Sequence, residues 1–173
     1  MLENYTAYRI LKEFFDSPKK GFYMREISRR TSVSNPSVLS YLRSLTKERL
    51  IIKEKEGLYP TYKANTENPL FKALKKQDLV INIINSGLIK TIEKETMPNC
   101  IVLFGSGSRG EDTKGSDIDL FVQAREKEIN LKKYENILRR KINILFEGKI
   151  SSLSRELLNN IVNGQVLYGH LTL

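Results

Sequence analysis

The stretch that most constrains this chain is residues 101–122, IVLFGSGSRGEDTKGSDIDLFV. Ile101, Val102, Leu103 and Phe104 are four apolar residues in a row, the pattern of a strand buried on both faces. GSGSRG then breaks the run, and its glycines let the backbone turn tightly and let a ligand approach main-chain N–H groups. Ser106 or Ser108 is placed to cap a short helix whose N-terminus would attract phosphate. Farther on, the two-residue period of a strand puts Asp117 and Asp119 on one face while Ile118, Leu120 and Val122 point into a core. Paired carboxylates at a strand end, beside a glycine-serine loop, suit a magnesium ion carrying a triphosphate. The plainer alternative is a glycine-rich turn followed by a strand with two solvated aspartates. The full spaced pattern between two apolar strands weighs against it.

Gly105, Ser106, Gly110, Ser116, Asp117 and Asp119 spell G-S-x-x-x-G, five residues, then S-D-x-D. This resembles the nucleotidyltransferase signature of the DNA polymerase β superfamily in its minimal form. The resemblance implies that Asp117 and Asp119 are the catalytic pair and ligate Mg²⁺. It implies that Ser106 binds the triphosphate, with Gly105, Gly110 and Ser116 around it. Arg109 and Lys114 lie beside the loop, either as phosphate contacts or as solvated charges. Enzymes of this superfamily usually carry a third carboxylate on the strand next to the D-x-D strand. Here that strand reads Lys141-Ile142-Asn143-Ile144-Leu145, and Asn143 takes the acid's place. An amide brings no charge and cannot accept a proton. Glu147 lies four residues on, about 13 Å along an extended strand, too far to substitute. Two carboxylates and a phosphate loop can still hold a Mg²⁺-bound nucleotide.

Residues 1–65 carry 13 Lys and Arg against 7 Asp and Glu, an excess of +6 within a total of +9. Such concentration of charge is the footprint of a nucleic-acid-binding module. Apolar spacing predicts a helix over residues 5–15 and a shorter one ending near Thr31. Ser34 or Asn35 is set to cap a third helix, with Pro36 at its first position. A hairpin through residues 50–63 follows, turning at Glu56-Gly57-Leu58. Helix, helix, turn, helix, hairpin resembles a winged helix-turn-helix. That resemblance implies double-stranded DNA as a partner, the third helix in the major groove and the hairpin on the backbone. Ser34, Asn35, Ser37 and Tyr41 are the candidates for base or phosphate contacts. Arg43, Lys47, Lys53 and Lys55 are expected mainly on phosphates. The alternative is a basic winged helix used for protein contacts.

The expected organisation is α+β: a winged helix-turn-helix over 1–65, a linker and connecting helix over 66–86, and a nucleotidyltransferase-like mixed sheet with flanking helices over 87–173. Strands are expected at residues 101–104, 117–122 and 141–146, and a final helix over 151–162. No apolar run approaches the roughly 20 residues that span a bilayer. The single cysteine, Cys100, precedes an apolar strand, which suits an inert thiol and a cytoplasmic setting. The functional expectation is a DNA-binding protein with a Mg²⁺-dependent domain that binds an NTP, with ATP foremost, for transfer to a protein or small molecule. Its alternative is a non-catalytic transcriptional regulator, or an antitoxin-like protein with a HEPN-type partner, whose transferase domain senses nucleotide or forms a homodimer.

Overall fold

Apolar side chains at helical spacing build the N-terminal part. In the computed structural model, which describes residues 5–55 and 57–171, helix α1 (Thr6–Asp16) buries Ile10, Leu11, Phe14 and Phe15. A two-residue strand β1 (Phe22–Tyr23) follows, then α2 (Met24–Thr31), which the left-handed Ser32 ends. Ser34 caps α3 (Asn35–Lys47), its hydroxyl accepting the Ser37 N–H at 3.5 Å, and Pro36 sits in the first turn, where an N–H is not needed. Helix α3 buries Val38, Leu42 and Leu45. Strands β2 (Ile51–Glu54) and β3 (Thr61–Ala64) pair antiparallel, and β3 also pairs with β1, giving the order β1-β3-β2. The sequence signals the hairpin but not β1, because two residues are too few to show a period. Glu56, in the expected hairpin turn, lies outside the described residues.

Phe22 is the pivot of this core. It is fully buried and stands edge-on to Phe14 with ring centres 5.4 Å apart, the arrangement the ring quadrupoles favour. Beyond β3, the segment expected as a plain linker is hydrogen-bonded to the end of α3. The side-chain amides of Asn65 and Asn68 both donate to the Arg49 carbonyl, at 2.8 and 2.9 Å. Asn68 also accepts the N–H groups of Leu70 and Phe71, and so caps α4 (Pro69–Ser86).

The chain divides into two compact units, Met1–Lys72 and Ala73–Leu173. Phe71, in the first turn of α4, belongs to the first core and packs on Phe15. Leu79, Val80 and Ile83 of the same helix are buried in the second core. Most of the helix expected as a connection is therefore an integral part of the second unit. There it is followed by α5 (Leu88–Thr96), β4 (Cys100–Phe104), the short α6 (Gly105–Arg109), β5 (Ile118–Val122), α7 (Lys132–Leu138) and β6 (Ile142–Phe146). A 3₁₀ turn (Ile150–Ser152), α8 (Arg155–Val162) and β7 (Gln165–Gly169) complete it.

The second sheet runs β6-β5-β4-β7, with β4 antiparallel to both neighbours and β5 parallel to β6. The strand period sorts its side chains. Ile101, Leu103, Ile118, Leu120 and Val122 meet α4, α5 and α7 on one face. Cys100, Val102 and Phe121 meet Ile150 and Ile161 on the other. Burial pushes the Cys100 thiol up, away from the reactive thiolate. One expectation changes here. The final helix begins only at Arg155, because the Ser154 hydroxyl accepts the Leu157 N–H and makes a new cap. Strand β7, which no expectation covered, hydrogen-bonds to β4 and covers an edge that would otherwise be open. Among the described residues no helix is long and apolar enough to cross a membrane.

Phe22→Ala should destabilise the first unit by about 3–5 kcal/mol, the usual cost of emptying a buried aromatic site. Urea titration of the full chain, read by hydrogen exchange at first-unit amides, measures it.

Candidate functional site

Strand β5 carries two kinds of residue on opposite faces, and the polar face starts at its N-terminal end. Asp117 immediately precedes the strand and Asp119 is its second residue; both are half-buried. On the same face Phe121 is fully buried, so the covered part of the sheet begins just beyond the carboxylates. Asp119 is paired across the sheet with Phe104 on one side and Asn143 on the other. The Asn143 side-chain nitrogen donates to Asp117 Oδ2 at 3.2 Å and to Asp119 Oδ1 at 3.0 Å. One amide group thus joins the two carboxylates. The opposite amide orientation would turn a carbonyl dipole against two negative charges.

The glycine-serine loop closes the other side. Gly105 has φ +72°, and a Cβ there would lie 2.6 Å from Asp119 Oδ2. Two constraints, left-handed backbone and a carboxylate against the bare Cα, therefore select glycine. Gly105 starts α6, and Gly110, at φ 68°, ends it. The expectation that Ser106 or Ser108 caps this helix fails: Phe104 occupies the cap position, without a side-chain cap bond among the described residues. Ser108 is turned inward and donates to the Gly105 carbonyl at 2.8 Å. Ser106 stays half-buried beside Gly105. Gly107 fits because a Cβ would come within 2.8 Å of Leu79 on α4.

The remaining candidates have local tasks. The Ser116 hydroxyl accepts the Thr113 N–H at 2.9 Å and closes the turn ahead of Asp117. Arg109 is exposed and paired with Glu111 at 2.9 Å, and Lys114 is exposed. Glu147 accepts the Lys149 N–H in its own turn, a bond that holds its carboxyl below the usual carboxylate range.

Sequence reading missed the group that holds this site in place. Asp112 is buried, with Lys75 of α4 at 2.5 Å from Oδ1 and Arg140 at 2.8 Å from Oδ2. Arg140 also donates to the Ser116 carbonyl at 2.7 Å and to the Asp117 carbonyl at 3.4 Å. Burial pulls the Lys75 ammonium below the ordinary lysine range, and Asp112 opposes that pull. Nothing local marks Asp112 as different from other loop acids. Its partners lie at positions 75 and 140, so only the folded chain brings them together.

These residues fit a divalent cation of the magnesium type. Among the described residues no group of three or more His, Cys, Asp and Glu side chains is clustered. Asp117 and Asp119 would offer such an ion two hard carboxylates, the donor type of sites where Mg²⁺ keeps waters and phosphate oxygens for its other positions.

Residues 86–170 match the family model described as Polymerase beta, Nucleotidyltransferase. The second unit is similar to that nucleotidyltransferase family. The matched span runs from the end of α4 through β7 and includes every residue of the carboxylate face described above. The match suggests nucleotidyl transfer as the general chemistry. A comparison with curated proteins gave no match.

In the first unit, Ser34, Asn35 and Ser37 are exposed together at the start of α3, and the Ser34 and Ser37 hydroxyls bond each other at 3.0 Å. Arg43 and Lys47 are exposed farther along α3, and Lys53 and Lys55 are exposed on the hairpin. Tyr41, the fourth of the candidates for base or phosphate contacts, is half-buried and packs on the core. Arg30 is paired with Glu13 and Lys20 with Glu26, whereas Arg25 and Arg29 are exposed on α2.

Asp112→Ala should cost about 3–5 kcal/mol, because it leaves Lys75 and Arg140 as uncompensated buried charges. The shift in urea midpoint of the full chain checks this.

Proposed function

We propose that the second unit binds a nucleoside triphosphate, ATP foremost, with Mg²⁺, and transfers a nucleotidyl group to a protein or small-molecule acceptor. The observation that carries this reading is the pair Asp117 and Asp119, held on one face against the bare Cα of Gly105. The two carboxylates would hold the cation, and Gly105 and Ser106 would receive phosphate oxygens. When bound, the cation supplies charge neutralisation to the triphosphate. Arg140 fixes the main chain of Ser116 and Asp117, which keeps the first carboxylate oriented.

We propose further that the first unit is a winged helix-turn-helix that binds double-stranded DNA. This is supported by the order of its elements, by its +6 excess and by the exposed basic and hydroxyl side chains of α3 and the hairpin. Ser34, Asn35 and Ser37 would meet bases or phosphates at the helix start. Arg43, Lys47, Lys53 and Lys55 would position the protein on the backbone.

A second reading is favoured by one observation, the amide of Asn143 in the place of an acid. With no group there to take up a proton, the unit would bind nucleotide without turning it over. The protein would then be a regulator whose nucleotide-bound state tunes its hold on DNA or on a second copy of itself. A HEPN-type protein partner, suggested by the resemblance to minimal nucleotidyltransferases, belongs to this reading.

Calorimetric titration of ATP with Mg²⁺ should show binding by the wild type and its loss in Asp117→Asn. Absence of binding by either protein would sink both nucleotide readings. Label transfer from ATP to an acceptor, abolished by the same substitution, separates the enzyme from the regulator. For DNA, four phosphate contacts predict that log Kobs falls against log salt with a slope of about −3 to −4. Replacing Lys53 and Lys55 with Ala should flatten that slope by roughly 2. Fluorescence anisotropy with a labelled duplex gives both values, and salt-independent retention would exclude this mode of binding.

A further inference from the structure

The Asn143 amide does more than stand where an acid might. Its nitrogen carries two hydrogens, and each is spent on a different carboxylate, Asp117 Oδ2 and Asp119 Oδ1. In this orientation the amide turns its N–H groups, and not its carbonyl oxygen, to the carboxylates, so the positive end of its dipole occupies the β6 side of the pair. Asp119 Oδ2 faces the other way, toward Gly105, where even a Cβ would stand at 2.6 Å. Asp119 Oδ2 and Asp117 Oδ1 take no bond from Asn143, and Asp119 Oδ2 lies on the loop side.

We propose that Asn143 is a positioning residue that limits the Asp117–Asp119 pair to a single divalent cation on the Gly105 side. The inference rests on reading the two aspartates as cation ligands. Charge gives the same answer as geometry. Two carboxylates balance one divalent ion, whereas two such ions a few ångströms apart need further negative ligands. Asn143 adds none. In the metal-free protein its neutral bridge also offsets the repulsion between two acids on one face, so the pair is held ready without a cation.

The test counts Mn²⁺ ions bound per chain, by electron paramagnetic resonance of free Mn²⁺, in the full-length protein without nucleotide. Wild type should bind one ion, and Asp117→Asn should lose it. Asn143→Asp, nearly isosteric, should bind two. Asn143→Ala opens the β6 side without adding charge. It should still bind one ion, and its melting temperature without metal should fall below wild type and recover when Mn²⁺ is added. Two ions on the wild type, or one on Asn143→Asp, would overturn the inference while leaving the aspartates as ligands. No ion on the wild type would remove the cation reading of the pair, and the inference with it. Circular dichroism of each variant shows that a changed count does not come from unfolding.

Discussion

The buried charge cluster of Asp112, Lys75 and Arg140 is the interaction on which the candidate site depends. Three charged groups out of water are not a cheap source of stability, because desolvation takes back much of their attraction. What they supply is position. Lys75 is on α4, Asp112 is in the loop after α6, and Arg140 lies just ahead of β6. Their contact pins a loop that otherwise has few apolar anchors. The remaining donors of Arg140 go to the carbonyls of Ser116 and Asp117. The main chain enters β5 at one fixed point, and the direction of both carboxylates follows from it.

From that point the sheet does the sorting. A strand turns alternate side chains to opposite faces, so Ile118, Leu120 and Val122 anchor β5 in one core while Asp119 and Phe121 look the other way. Parallel pairing with β6 sets Asn143 beside Asp119, and antiparallel pairing with β4 brings Phe104, and with it Gly105, to the other side. An amide and a glycine flank the carboxylates as a consequence of register. Slipping β6 by one residue would put Ile142 or Ile144 against Asp119, and their burial in the opposite core prevents it.

The first unit rests on simpler physics. An aromatic core around Phe14, Phe15, Phe22 and Phe71 holds three helices to a small sheet. Two asparagines, Asn65 and Asn68, satisfy the carbonyl of the left-handed Arg49, just past the end of α3. The polar stretch before α4 therefore has a structural task, although its composition reads as an unstructured link. Some of the positive charge is paired locally, Arg30 with Glu13 and Lys20 with Glu26, so these two cations are not among those presented to a partner.

Local chemistry determined most of what could be read directly from the residues. Period-two alternation makes Asp117 and Asp119 share a face, Ser34 and Pro36 start α3, and apolar spacing marks α1, α4 and the central strands. Local chemistry misled where two neighbouring options were close in energy. The serines of the glycine loop are good caps, yet Ser108 turned inward to the Gly105 carbonyl. Residues 151–162 form the end of a 3₁₀ turn and a helix, and it is Ser154, not an earlier serine, that caps the helix. Strands β1 and β7 owe their existence to the partners they pair with, β3 and β4. The Asp112 cluster and the Asn143 bridge belong to tertiary structure alone. Both join residues far apart in sequence, and the energy of a charge or an amide depends on what surrounds it after folding. The sequence determines which groups are available at the site; the folded sheet and its buried ion cluster decide which of them meet.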